Sequence, residues 1–379
     1  MEKLVMIPGP TPVVRTIQNE MGREIQAFGD PRFVKDFKSV IDDLNKMFNC
    51  SGKCFVVAGT GTLAMEMAIA NLTKRGDSIL IVSHGFFGNR FIDMCERKGL
   101  QVTVLQSEWG KIVPVEEIKA ELEKKSYSAI TVTHVDTSTG VCAPISEIGE
   151  MLQAFPETLY IVDGVCATAA EPEDVDKMHI DVLFTGTQKA FGVCPGLLIL
   201  WASPKALARR TSLGTIPEYY VDFEKWLPVM DDPSKYFATP AVNLVWALKE
   251  SVRLINQIGL EKRCALHKKN GLAAQAALEK MGFTILADKD CRAVTLSNVI
   301  YPEGINDAEF RAKLYEEGVI VAGGLANYAG KMFRLGHMGH IDKQTMVVAL
   351  SAIERTLHHF GKLSRFGVGV GAYLEGMAE

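Results

Sequence analysis

The sequence predicts an α/β fold: a mainly parallel seven-stranded sheet with helices on both faces, followed by a smaller C-terminal α+β domain. Three observations predict it. Seven short apolar runs, near residues 54–58, 78–82, 101–105, 128–133, 159–162, 181–185 and 196–201, alternate with stretches of helical periodicity. Those runs are continuously apolar, as strands buried on both faces must be. The chain, at 379 residues, is also too long for one small core, and its rhythm changes after about residue 211.

The elements follow in order. The first dozen residues end in Ile7-Pro8-Gly9-Pro10-Thr11-Pro12. Their prolines exclude regular helix or strand, so they read as an extended arm. Helices are predicted near 13–23 and 33–48, then between the strands at 61–74, 87–98, 114–124 and 145–155. From 211 to 240, prolines, aromatics and acids break the alternation. A long helix over 241–258 continues as Glu261 to Met281 and opens the second unit, which closes with a helix over 342–360. The glycine-rich tail from Gly361 reads as poorly ordered or packed on a partner. The chain thus divides into an arm (1–18), a large domain (19–255) and a small domain (256–379).

Composition narrows the function. Hydrophobic residues at 47% and charged residues at 23% suit a soluble globular enzyme. A net charge of −4 gives no electrostatic reason to propose nucleic acid or an anionic membrane as partner. The longest apolar run, Leu197 to Ala202, is far below the roughly 20 residues that span a bilayer. The N-terminus lacks the basic and apolar regions of a signal peptide, which points to the cytoplasm. Of the eight cysteines only Cys50 and Cys54 are close, with no second pair to match them. They read as free buried thiols, not as a metal site or disulfide framework.

Chemistry gathers at the strand ends. Thr187-Gln188-Lys189 follows the run from Asp181 to Gly186, and the preceding strand, Leu159 to Val162, ends in Asp163. An amine and an acid on successive apolar strands suit pyridoxal 5'-phosphate. The amine closes a Schiff base with its aldehyde, and the acid keeps the ring nitrogen protonated so that the ring accepts electrons. Either residue alone is commonplace at a strand end. Upstream, the strand from Cys54 to Val57 runs into Ala58-Gly59-Thr60-Gly61-Thr62 just before a helix. Free N–H groups and the positive helix end there suit a phosphate, with Thr60 and Thr62 adding hydroxyls.

The same turn, Gly59-x-Gly61-x-x-Ala64, also matches the dinucleotide fingerprint. That fingerprint wants an acid about 20 residues on, at the end of the second strand. Here the strand ends in Ser83-His84, and Asp77 stands before it. A tight turn without ligand is the other alternative. Phe87, in His84 to Arg90, sits where an aromatic could stack on a flat ring or simply fill the core. Thr133 to Gly140 reaches the same edge. Five segments thus converge where open α/β sheets bind ligands.

Taken together, these segments resemble the class V, fold-type I, pyridoxal-phosphate-dependent aminotransferases, and most of all the alanine–glyoxylate and serine–pyruvate aminotransferase family. The resemblance runs from Pro8-Gly9-Pro10 to Phe333-Arg334-Leu335-Gly336. It implies that Lys189 is the Schiff-base lysine and general base, with Asp163 the partner of the pyridine nitrogen. Thr60, Gly61, Thr62 and Gln188 would contact the phosphate, Phe87 would stack on the ring, and Thr137 would lie near the ring oxygen. Arg334 would grip the substrate carboxylate, with Gly9 beside it. Tyr236 and Thr239 would reach the phosphate of the neighbouring subunit, which implies a homodimer. Three positions depart from the family: Phe87 stands where close relatives often have Trp, Thr62 replaces a His found in some members, and Thr137 replaces Ser.

The resemblance favours alanine or serine as donor and glyoxylate or pyruvate as acceptor. Aspartate, ureidoglycine and aminoethylphosphonate remain open as donors, since Arg32 or Lys35 could reach the pocket from either subunit. His337 and His340 flank the Arg334 loop without an assigned role. Two rivals share the fold. A cysteine desulfurase would need a nucleophilic cysteine on a mobile loop and usually stacks a His where Phe87 stands, whereas Cys194 reads as packed. A cofactor-binding regulator would need an added DNA-binding domain, and a cofactor reservoir would not need Arg334.

Overall fold

The computed structural model describes residues 3–378; Met1, Glu2 and Glu379, the outermost residues of the predicted arm and small domain, lie outside the described residues. The central sheet has seven strands, in the spatial order Lys53–Gly59, Gly196–Ala202, Val182–Gly186, Leu159–Asp163, Ala129–Thr133, Ser78–Ser83 and Gln101–Gln106. Only Gly196–Ala202 runs antiparallel to its neighbours; the other six point the same way. Ala129–Thr133, Leu159–Asp163 and Val182–Gly186 are buried at every position, because helices cover both faces. The six parallel carboxyl ends therefore share one edge.

Helix positions follow the predicted pattern. Pro31–Met47 starts at Asp30, whose side chain accepts from the Arg32 N–H at 2.8 Å, with Pro31 in the first turn where no donor is needed. Phe33, Phe37, Val40, Ile41 and Leu44 form its buried stripe. Three helices ahead of the tail were not anticipated, Pro204–Ser212, Phe223–Asp231 and Asp307–Glu316. The second holds Pro228 inside it, one of the prolines that break the sequence rhythm over 211–240. It is anchored by Asp222, which caps its own helix through the Glu224 N–H and pairs with both arms of the buried Arg210 guanidinium at 2.9 and 2.8 Å.

A second hydrophobic core surrounds a four-stranded antiparallel sheet, ordered Thr284–Ile285, Leu296–Ile300, Met332–Gly336, Ala322–Gly323. Two expectations are corrected. The arm is not strand-free: Leu4–Val5, ahead of the prolines, pairs in parallel with Val319–Ile320. The glycine-rich tail is not poorly ordered but forms the helix Val368–Ala378. Its start is held by the buried Glu354, which accepts from the N–H groups of Gly367, Gly369 and Val370. Gly369 lies where a Cβ would strike Met281, so the glycines let this helix approach closely. Among the described residues no helix is long and apolar enough to cross a membrane.

Candidate active site

Asp163 ends the strand Leu159–Asp163, in register with Phe184 of the parallel neighbour Val182–Gly186, and Lys189 follows that neighbour by three residues. Asp163 is buried, and its Oδ1 accepts from the Val165 N–H at 2.9 Å. Burial pushes its carboxyl up to about 7; the Val165 bond and the nearby charges of Lys189 and Arg90 pull the other way. Lys189 stands in a turn clasped by the arm. Thr11 donates its hydroxyl to the Lys189 carbonyl at 2.8 Å and its N–H to the Gln188 carbonyl at 3.0 Å. The lysine Nζ donates to the Pro8 carbonyl. Gly9 has φ +104°, and a Cβ there would come within 2.5 Å of Lys189 Cδ, so the arm can cross the lysine only as glycine.

The cleft above this pair encloses about 160 Å³ and opens onto Thr60, Gly61 and Thr62 at the start of the helix Gly61–Leu72. Thr60 precedes that helix in an extended conformation, and its hydroxyl makes no capping bond. A Cβ on Gly61 would come within 2.8 Å of Val165, another cleft residue. Phe87 reaches the cleft from the helix Phe86–Lys98. Thr137 Oγ1 lies 2.7 Å from the Cys166 Sγ. Gln188 Oε1 and Thr133 Oγ1 are buried without a partner.

Arg334 lies on the inner strand Met332–Gly336 of the small sheet, paired opposite Asn298 and Ala322. Its Nε donates to the Gly323 carbonyl at 2.8 Å, and burial lowers its pKa from the usual guanidinium range. Two links bring that sheet to the cleft. Asn298 Nδ2 donates to the Ser138 carbonyl at 2.7 Å, and Met6, just before the arm crosses Lys189, accepts from the Gly336 N–H at 2.8 Å. Tyr236 and Thr239 stand apart from this cleft. They face each other at 3.4 Å, with Tyr236 62% exposed. Arg32 is turned onto Asp30, and neither it nor Lys35 lines the cleft of its own chain. His337 is buried with Nε2 2.9 Å from Ser297 Oγ, and burial lowers the pKa of both His337 and His340 to about 4.

The family model described as Aminotransferase class-V matches residues 15–351. The chain belongs to the class V aminotransferases. It is 36% identical over 362 residues to an uncharacterized aminotransferase of Methanocaldococcus jannaschii, covering 95% of this chain and 94% of the relative. It is 32% identical to the serine–glyoxylate aminotransferase of Hyphomicrobium methylovorum, covering 98% and 93%. Among solved structures, the ureidoglycine–glyoxylate aminotransferase of Bacillus subtilis superposes with a TM-score of 0.94 at 26% identity, covering 100% of this chain and 99% of that one.

The cofactor of this class V aminotransferase is pyridoxal 5'-phosphate, and the cleft fits it. A buried acid suits a ring nitrogen, an amine stands one strand away, a helix start suits a phosphate, and two buried oxygens lack partners. Sequence reasoning missed three cleft features. Asp136 is fully buried and accepts from the N–H groups of Phe87 and Gly88, both at 3.0 Å, so it caps the helix that carries Phe87. Its partners are nearly fifty positions away, and only its place in the loop after a strand could have marked it. Cys166, three residues beyond Asp163, is buried in the cleft wall. Arg90, one helical turn after Phe87, also lines the cleft.

Proposed function

We propose that this enzyme moves an amino group from a small L-amino acid, alanine or serine, to glyoxylate or pyruvate. The observation that carries the proposal is the placement of the buried Asp163, at the end of one strand, and Lys189, in the turn after its neighbour, beside a helix start suited to phosphate. When bound, the cofactor forms a covalent link with an amine and draws electrons into its ring.

Asp163 would keep the ring nitrogen protonated. Burial raises the Asp163 pKa to about 7, and a positively charged partner beside it would oppose that rise. The Lys189 amine would hold the cofactor and, once free, would serve as the general base for the Cα proton of the substrate. The Gly9 segment closes over the lysine and keeps its reach short. Thr60, Gly61, Thr62 and Gln188 would hold the phosphate, and Phe87 and Thr137, which line the same cleft, would hold the ring. Arg334 takes the substrate carboxylate through the guanidinium arms that Gly323 does not occupy. Only one such clamp serves the substrate, which favours a donor whose side chain carries no charge.

Tyr236 and Thr239 complete the phosphate site of a second copy in a homodimer. The exposure of Tyr236 and its distance from its own cleft support that reading. All eight cysteines are free, which supports a reducing, cytoplasmic setting. The test is the absorption spectrum of the loaded enzyme, taken after adding alanine, serine, aspartate, ureidoglycine or cysteine. Bleaching of the yellow band by alanine or serine, and its return with glyoxylate, is the expected result. Response to aspartate or ureidoglycine alone would transfer the enzyme to a different donor, and sulfide release from cysteine would make it a lyase.

A further inference from the structure

The proposed phosphate cradle lacks a cation of its own. Thr60, Gly61, Thr62 and Gln188 offer neutral donors, yet a phosphate monoester brings a charge of about −1.5 to −2. Lys189 is committed to the covalent chemistry, and Arg334 belongs to the small sheet. One positive side chain remains in the cleft wall, Arg90.

Arg90 has the signs of a group waiting for an anion. Its Nη1 donates to Thr62 Oγ1 at 3.0 Å, directly at the start of the phosphate helix. Among the described residues no carboxylate lies within ion-pair distance of it, although most of the other arginines have one. Its guanidinium instead rests over the face of Phe87, 4.8 Å from the ring centre. Phe87 and Arg90 are three apart on one helix, so the stacking platform and the cation share a face. Asp136 fixes the start of that helix and hence the position of both. A planar ring settling on Phe87 would take the place the guanidinium now holds. The bond to Thr62 gives the displaced side chain its next position, beside the phosphate.

We propose that Arg90 is the cation of the phosphate site, and that it makes the cleft prefer phosphorylated over unphosphorylated cofactor. The inference rests on the assignment of this cleft to the cofactor. It adds to the neutral cradle a bidentate donor suited to phosphate oxygens.

The test uses the full-length chain freed of cofactor. Affinities for pyridoxal 5'-phosphate and for pyridoxal are read from visible absorption in wild type, Arg90→Gln and Arg90→Lys. Arg90→Gln should weaken the phosphorylated form by about 10- to 100-fold while leaving pyridoxal unchanged, and Arg90→Lys should recover part of the loss. Inorganic phosphate should raise the melting temperature of wild type and lose that effect in Arg90→Gln. Equal weakening of both ligands would mean that Arg90 acts only through the Phe87 platform, and the proposal would fall. It would fall equally if neither affinity changed while KM for aspartate rose, since Arg90 would then serve the substrate. Failure of wild type to bind either form would remove the cofactor assignment itself.

Discussion

The two edges of the seven-stranded sheet handle charge in opposite ways. At the amino-terminal edge, acids that precede strands are matched. Asp181 pairs with Lys205 at 3.1 Å and also accepts from the Tyr160 N–H, and Asp77 pairs with Arg209 at 2.6 Å. At the carboxyl edge, Asp163, Lys189 and Arg90 have no oppositely charged partner within ion-pair distance among the described residues, and Gln188 and Thr133 keep orphaned oxygens. Matched charges hold a fold, and unmatched ones wait for a ligand. The lesson is that one scaffold keeps its strain where the chemistry is.

This contrast can be broken by substitution, beginning with the largest effect. Lys189→Ala should cut transamination by about 10³-fold or more while the melting temperature shifts little. A near-normal rate would take the lysine out of the mechanism. Asp163→Asn should still bind cofactor but lose about 10²-fold or more in kcat, since the ring nitrogen loses its acidic partner.

The same variant sharpens the comparison through stability. Asp163 has its carboxyl raised from the ordinary 3.8 to about 7 by burial. The stabilisation from its protonated form is complete below pH 4 and is lost as pH rises through 7. Cofactor-free Asp163→Asn should therefore match wild type near pH 4 and exceed it above pH 7, by a few kcal/mol at most. Melting curves at both pH values check this, and a variant less stable than wild type at pH 8 would contradict the strain argument.

Arg334→Ala should raise KM for the amino donor by about 10- to 100-fold, and Arg334→Lys should restore only part of it. Smallest of all, Asp77→Ala at the opposite edge should cost about 1 kcal/mol of stability, read from denaturant midpoints, with kcat unchanged. A matching loss of activity there would show that the two edges are not separate.

Much of this was legible in the chain. Apolar runs placed all seven strands, the half-exposed edge strand Gln101–Gln106 included, and Asp163 and Lys189 were found because they lie at or just beyond the end of one. What the sequence concealed was contact across distance. Nothing near Asp136 says that it caps the helix of Phe87, and Arg90 reads as an ordinary polar residue of a helix start until it is seen over the ring of Phe87 beside Thr62. Pro228 misled because a proline inside a helix is tolerated when the rest of its face, Trp226, Val229 and Met230, is buried. The tail misled in the same way: its glycines suggested a poorly ordered segment or one packed on a partner, whereas it forms a helix whose Gly369 packs closely against Met281 of its own chain.

The central claim is that Lys189 is the residue that holds the cofactor. Borohydride reduction of the loaded enzyme, followed by digestion and mass spectrometry of the peptides, fixes the cofactor to whichever lysine carries it. The account predicts the added mass on the peptide containing Thr187-Gln188-Lys189 and on no other. Label on a different lysine, or none after loading, would contradict it.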